Sequence, residues 1–146
     1  MFFNKSNYRR LIPKAIMVFL LTISLPCFGI EVITDANNPV QILSSEQLSS
    51  IFLGRMRNWP SGRKITVVIY SHFNNNHRIF CRKVLELSPR YVRQSWDQLT
   101  YSGSSRGPII VSSEEEMLDT VKNTPGSIGY HLKQYKGDDA HAIQID

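Results

Sequence analysis

The sequence predicts an α/β domain built on a mostly parallel sheet flanked by helices. Two observations carry that expectation. Short apolar, β-branched runs alternate along the chain with segments of helical periodicity. Several of those segments also open on a serine or asparagine that can cap a helix. The chain has 146 residues, 42% hydrophobic and 20% charged, a balance that suits one folded core rather than a disordered chain.

The first segment reads as an address. Residues 1–14 are polar and basic, Ala15–Leu25 is an apolar run of 11 residues, and Pro26-Cys27-Phe28-Gly29 follows. A charged start, a short apolar run and small residues before a cut describe a secretory signal peptide over residues 1–29. A spanning helix needs about 20 apolar residues, so a transmembrane segment is the weaker reading, with an uncleaved anchor as the alternative. Lys5, Arg9, Arg10 and Lys14 lie in this segment, which has no Asp or Glu. They carry most of the formal charge of +5, and what remains is close to neutral. A polybasic nucleic-acid binder is therefore not expected. After a cut at Gly29, residues 30–146 form one domain, exported to the periplasm or secreted, with no stable membrane insertion. Cys81 is then its one cysteine, which leaves no intrachain disulfide.

The remaining elements follow in order. Ile30–Thr34 reads as a strand. Ser44 and Gln47 form a capping box for a helix whose apolar face is Leu48, Ile51 and Phe52, stopped by Gly54. Trp59-Pro60-Ser61-Gly62 is a turn, and Ile65–Tyr70 is a strand buried on both faces. The polar loop Ser71–Asn76 opens a helix at about His77, with Ile79, Phe80 and Val84 facing inward. Ser88-Pro89 starts another helix, carrying Val92, Trp96 and Leu99. Gly103–Gly107 is a loop and Ile109–Val111 a short strand. Ser112 and Glu115 suggest a second capping box ahead of Met117, Leu118 and Val121. Pro125-Gly126 turns the chain into a strand at Ile128–Tyr130, and Ala142–Ile145 is a last strand.

Chemistry is sparse. His72 and His77 flank three asparagines with no acidic neighbour, so they read as surface or loop histidines, and no metal or cofactor is expected. Glu114, Glu115 and Glu116 open a helix, where negative charge complements the helix dipole. Cys81 reads as a small buried hydrophobe. Arg55, Arg57, Arg63 and Lys64 surround Trp59, and the expected arrangement is a solvated loop with Trp59 folded onto the core. No nucleophile elbow or phosphate loop of Walker type is present, so no enzyme is expected. The candidate site is the strand, loop and helix at 65–85. Ligands of parallel α/β sheets sit outside the carboxyl ends of strands, where helix N–H groups attract anions. Ser71, Asn74, Asn75 and Asn76 offer neutral donors there, and His77 and Arg78 offer positive charge.

Leu48–Trp59 (LSSIFLGRMRNW), Ile65–Leu85 and Thr124–Tyr130 (TPGSIGY) together resemble the second lobe of phosphate-type periplasmic solute-binding proteins. The stretch from Trp96 to Tyr101-Ser102-Gly103 is similar to small single-lobe relatives of that family. The resemblance spans about Ser44 to Tyr130. It implies a single lobe of a type II periplasmic-binding-protein fold, phosphate or another small oxyanion as ligand, and a transporter as partner. The family's ligand loop reads R-S-D-G-S-G-T, whereas this chain has Tyr70-Ser71-His72-Phe73-Asn74-Asn75-Asn76. Ser71 carries over, and Arg78 supplies charge one turn later. A protein-interaction module that kept the lobe without transport is the alternative.

Overall fold

A six-stranded sheet organises the chain, in the order β2-β6-β1-β5-β3-β4. The computed structural model describes residues 29–133 and 136–146, so the expected signal peptide lies outside the described residues except for Gly29. The strands are β1 (Glu31–Asp35), β2 (Ile42–Leu43), β3 (Thr66–Tyr70), β4 (Ile109–Val111), β5 (Ser127–His131) and β6 (Ala140–Ile145). The helices are α1 (Ser45–Phe52), α2 (Asn75–Lys83), α3 (Pro89–Tyr101) and α4 (Glu114–Asn123). β3 pairs in parallel with β4 and β5, and β2 in parallel with β6. β1 runs antiparallel to both of its neighbours, β5 and β6. The sheet is thus mostly parallel with one reversed strand. Among the described residues, no helix is long and apolar enough to cross a membrane.

Helices cover both faces of the sheet, and β5 shows how. Side chains alternate along a strand. A Cβ on Gly129 would stand 2.6 Å from Met117 Sδ and 2.9 Å from Val121, so this face of β5 lies against α4. The next residue, Tyr130, points the other way. Its ring stacks on Phe80 of α2, with centroids 3.7 Å apart, and meets the edge of Phe52 of α1 at 5.9 Å. α3 packs behind α1 and α2, and its Trp96 Nε1–H donates to the Phe52 carbonyl at 2.7 Å.

Local chemistry fixes most boundaries. Ser44 and Gln47 form the expected reciprocal capping box. Ser88 caps α3, whose first residue is Pro89. The cap of α4 falls one residue later than expected. Ser113 Oγ accepts from Glu116 N–H, and Glu116 Oε2 accepts from Ser112 N–H at 2.7 Å. Two serines followed by three glutamates offer two registers, and the turn out of β4 consumes Ser112. α2 also starts earlier than about His77, because the Asn74 side chain accepts from Asn76 N–H at 2.8 Å. Its buried residues are His77, Phe80 and Cys81, while Ile79 is exposed and Val84 half-buried. The helical phase is shifted because a histidine and a cysteine occupy core positions.

The amino end of β5 is stapled to β1. Asp35, buried, accepts from Gly126 N–H at 2.8 Å and from Asn37 N–H at 3.2 Å. Thr34 Oγ1 donates to the Ser127 carbonyl at 2.6 Å. Trp59 lies on the core as expected, its Nε1–H bonded to the Gly126 carbonyl at 2.9 Å.

Candidate functional site at the carboxyl end of β3

Val67 to Tyr70 are all buried, and the chain leaves the sheet after Tyr70. The Asn74 N–H donates to the Ser71 carbonyl at 2.8 Å, which closes the loop, and the Asn74 side chain then caps α2. Of the six residues singled out in the sequence, five stand along this surface. Ser71, Asn74 and Asn76 are half-buried, and Asn75 and Arg78 are exposed. Phe73, between them, is 87% exposed. No Asp or Glu occurs from Ser71 to Leu85; the loop itself carries no Lys or Arg, and the basic residues are on α2, with Arg78 in its first half and Arg82 and Lys83 in its last turn.

The sixth residue, His77, is not a surface histidine. Its ring is fully buried, and its Nδ1 lies 2.8 Å from the Tyr130 hydroxyl. The Tyr70 N–H donates to that same hydroxyl at 3.3 Å, which leaves the Tyr130 O–H to donate to His77 Nδ1. Hydrogen-bond logic then puts the His77 proton on Nε2, facing His72 Nδ1 at 3.3 Å. Cys81 Sγ lies 3.5 Å from Nε2 and 3.9 Å from Nδ1. Near-equal distances set the sulfur beside the ring rather than along a nitrogen lone pair, and among the described residues no group of three metal-ligating side chains is arranged to hold an ion.

Burial governs the protonation of this cluster. The His77 pKa is lowered to about 4, by burial first and by the neighbouring His72 second. His72 is lowered by burial and by Arg93, with Asp97 opposing. Burial raises Cys81 to about 12 and also raises Tyr130. At neutral pH the cluster is a chain of uncharged hydrogen bonds, and Cys81 is a thiol without nucleophilic character.

A charged cluster lies on the α4 side. Glu114 Oε2 stands 3.4 Å from Lys133 Nζ and 3.7 Å from His131 Nε2. The Tyr70 pKa is raised to about 12 by burial and by the Glu114 charge. The Tyr70 hydroxyl is buried and has no hydrogen-bond partner among the described residues. Sequence reasoning missed Tyr70, His72, Tyr130, Glu114 and His131 as members of one region. The spacing of His77 and Cys81, four apart on α2, was the available signal that both share a buried helical face.

This arrangement, a mostly parallel sheet with one reversed strand and a polar loop leading into a helix, is similar in fold to part of solved substrate-binding-protein structures. Solved structures similar to it in fold include proteins described as components of phosphate transport. A phosphate ABC transporter substrate-binding protein from Clostridium perfringens, with phosphate bound, is similar with a TM-score of 0.65 and 21% identity over 80% of this chain. An ABC-type phosphate transport receptor from Vibrio cholerae gives 0.64 and 21% over 80%. PstS from Borrelia burgdorferi gives 0.65 and 18% over 81%. The chain spans less than half of their lengths: 44%, 46% and 47%. No family model and no curated protein matches the chain.

Proposed function

We propose that the protein is an exported solute-binding lobe that takes phosphate or another small oxyanion at the Ser71–Arg78 loop. The observation that carries this reading is the acid-free segment from Ser71 to Leu85, with its basic residues on α2, set at the carboxyl end of an interior strand. A dissolved anion meets there the positive end of α2, the Ser71 hydroxyl, the Asn75 and Asn76 amides and the Arg78 guanidinium. Asn74 contributes by shaping the loop, since its side-chain oxygen is engaged as a cap. His77 contributes from beneath, as a neutral support for the first turn of α2. The fold shared with phosphate-binding proteins supports the same choice of ligand.

A single lobe leaves its ligand open to water on one side, where charge-assisted bonds are weak. Tight binding therefore calls for a cover, supplied by a transporter, by another exported protein or by a second copy. Phe73, 87% exposed within the loop, favours a protein contact at this face. It also keeps the second reading in play, an interaction module that retained the lobe without transport.

Thermal unfolding against phosphate, sulfate and small carboxylates at matched ionic strength tests the reading. A ligand at 100 times its Kd stabilises by about 2.7 kcal/mol. Each kcal/mol moves the midpoint of a domain this size by roughly 4–8 °C. A phosphate-selective shift that shrinks in Ser71→Ala and Arg78→Gln supports oxyanion binding. No shift with any anion at millimolar concentration, together with a stable complex with another exported protein, supports the interaction module.

A further inference from the structure

The amino ends of β3 and β4 lie at the opposite end of these strands from the Ser71–Arg78 loop. There the loops that follow α1 and α3 enclose a cleft of about 520 Å³. Its apolar wall is made by Ile65, Trp96 and Ile109, and its basic rim by Arg57, Lys64 and Arg106. No Asp or Glu lines it.

The basic rim is not neutralised from within. Arg57 Nε–H donates to the Gly54 carbonyl at 3.2 Å and Nη1–H to the Ser104 carbonyl at 2.9 Å. Both acceptors are neutral, so the guanidinium is pinned across the two loops with its charge uncompensated. Among the described residues, none of Arg57, Lys64 and Arg106 has an ion-pair partner. The neighbouring basic residues behave differently. Arg63 faces Asp35 at 3.8 Å, and Arg55 donates to the Tyr91 hydroxyl at 2.8 Å. The basic loop around Trp59 is thus divided, with Arg57 and Lys64 turned to the cleft.

The apolar wall is a floor of core residues with one open edge, since Ile65 and Trp96 are buried and Ile109 is exposed. Trp96 has committed its N–H to the Phe52 carbonyl, so only ring carbon is left for the cleft. Ile109 is exposed at the start of edge strand β4. An inorganic anion would balance the rim and leave the exposed Ile109 edge of the wall in water. A neutral apolar molecule would cover that edge and leave the three cations of the rim without a counter-charge. Only a molecule with both parts satisfies the whole surface, and the cleft has the volume of a small-ligand pocket. We infer that this cleft is a second binding site, for an organic anion carrying its carboxylate on a flat apolar body. This site is at the other end of the sheet and is independent of the oxyanion reading.

An NMR titration of the protein with 2-naphthoate tests it, with 2-naphthylmethylamine and inorganic phosphate as controls. Naphthoate should give saturable shifts at the amides of Arg57, Ser105 and Gly107 and at the Trp96 indole N–H. The amine, with the same ring and opposite charge, should leave them in place. The naphthoate affinity should fall with added salt. It should fall about tenfold or more in the Lys64→Gln/Arg106→Gln double variant, whose changes are at exposed positions and leave the unfolding midpoint unmoved. Equal shifts from the amine, undiminished binding in the double variant, or no saturation at these amides by about 10 mM would overturn the inference. Phosphate shifts confined to residues 71–78 would report on the other site alone.

Discussion

The Tyr130 hydroxyl lies 2.8 Å from His77 Nδ1 and receives the Tyr70 N–H at 3.3 Å, so one oxygen joins β5, β3 and α2. The Tyr130 ring is stacked flat on Phe80, one turn of α2 after His77, which fixes where that oxygen points. The helix that presents the candidate anion loop is therefore held by a buried polar contact and an aromatic one, both to the same residue.

Acid should loosen this contact. His77 has a folded pKa lowered to about 4, against an ordinary 6.5 in the unfolded chain. As pH falls below 6.5 the unfolded state takes up the proton first, so its share of the equilibrium grows. The His77 contribution is fully present above about pH 6.5, drains away between 6.5 and 4, and is flat below that, with a total of roughly 3 kcal/mol at most. Urea unfolding at intervals from pH 7.5 to 4 should show this slope in the wild type. His77→Gln, which cannot titrate at this position, should show a shallower slope, with His72 still contributing.

Tyr130→Phe keeps the stacked ring and removes the shared oxygen. The buried Tyr70 N–H and His77 Nδ1 both lose a partner, so a loss of about 1–3 kcal/mol is expected. Tyr70→Phe removes a buried hydroxyl that has no partner among the described residues. It should be neutral or stabilising by up to about 1 kcal/mol. Denaturant midpoints of the two variants, measured side by side, should move in opposite directions or differ by at least the first loss.

Asn74→Ala should cost about 1 kcal/mol through the lost cap on the Asn76 N–H. Asn74→Ser restores a capping oxygen and should recover most of that stability. A circular-dichroism melt of both variants is sufficient, because the prediction concerns folding and requires no ligand.

Cys81 should be silent toward thiol reagents in the folded protein. It is fully buried and its pKa is raised to about 12, so almost no thiolate exists at pH 8. The rate of labelling with a disulfide reagent at pH 8 should then follow the rate of opening and rise with urea. A fast native reaction would show an exposed thiol and contradict this packing.

Much of the fold was legible because its signals are local. Ser44 with Gln47 and Ser88 with Pro89 each announce a helix start within a few residues, and the run at 65–70 announces a buried strand. β2 escaped because a strand of two residues has no period of its own and exists by pairing with β6. The reversed direction of β1 also has no local mark, since its residues read the same whichever way their neighbours run. At the site, the surface loop was legible from its composition. The partnership of His77 with Tyr130 was not, because 53 residues separate them and the contact is made only once β5 is in place.

The position of β1 has a consequence for the newborn chain. It is among the earliest parts of the domain to be synthesised, yet its two neighbours are the last two strands: Val32 faces Tyr130 on one side and Ile143 on the other. Until those late residues have left the ribosome, Val32 and Ile33 have no edge to join and the centre of the sheet is missing. Pairings this distant along the chain close slowly. Closure of the sheet around β1 therefore waits for β6, the last strand among the described residues, so the first strand of this domain is among the last to find its partners.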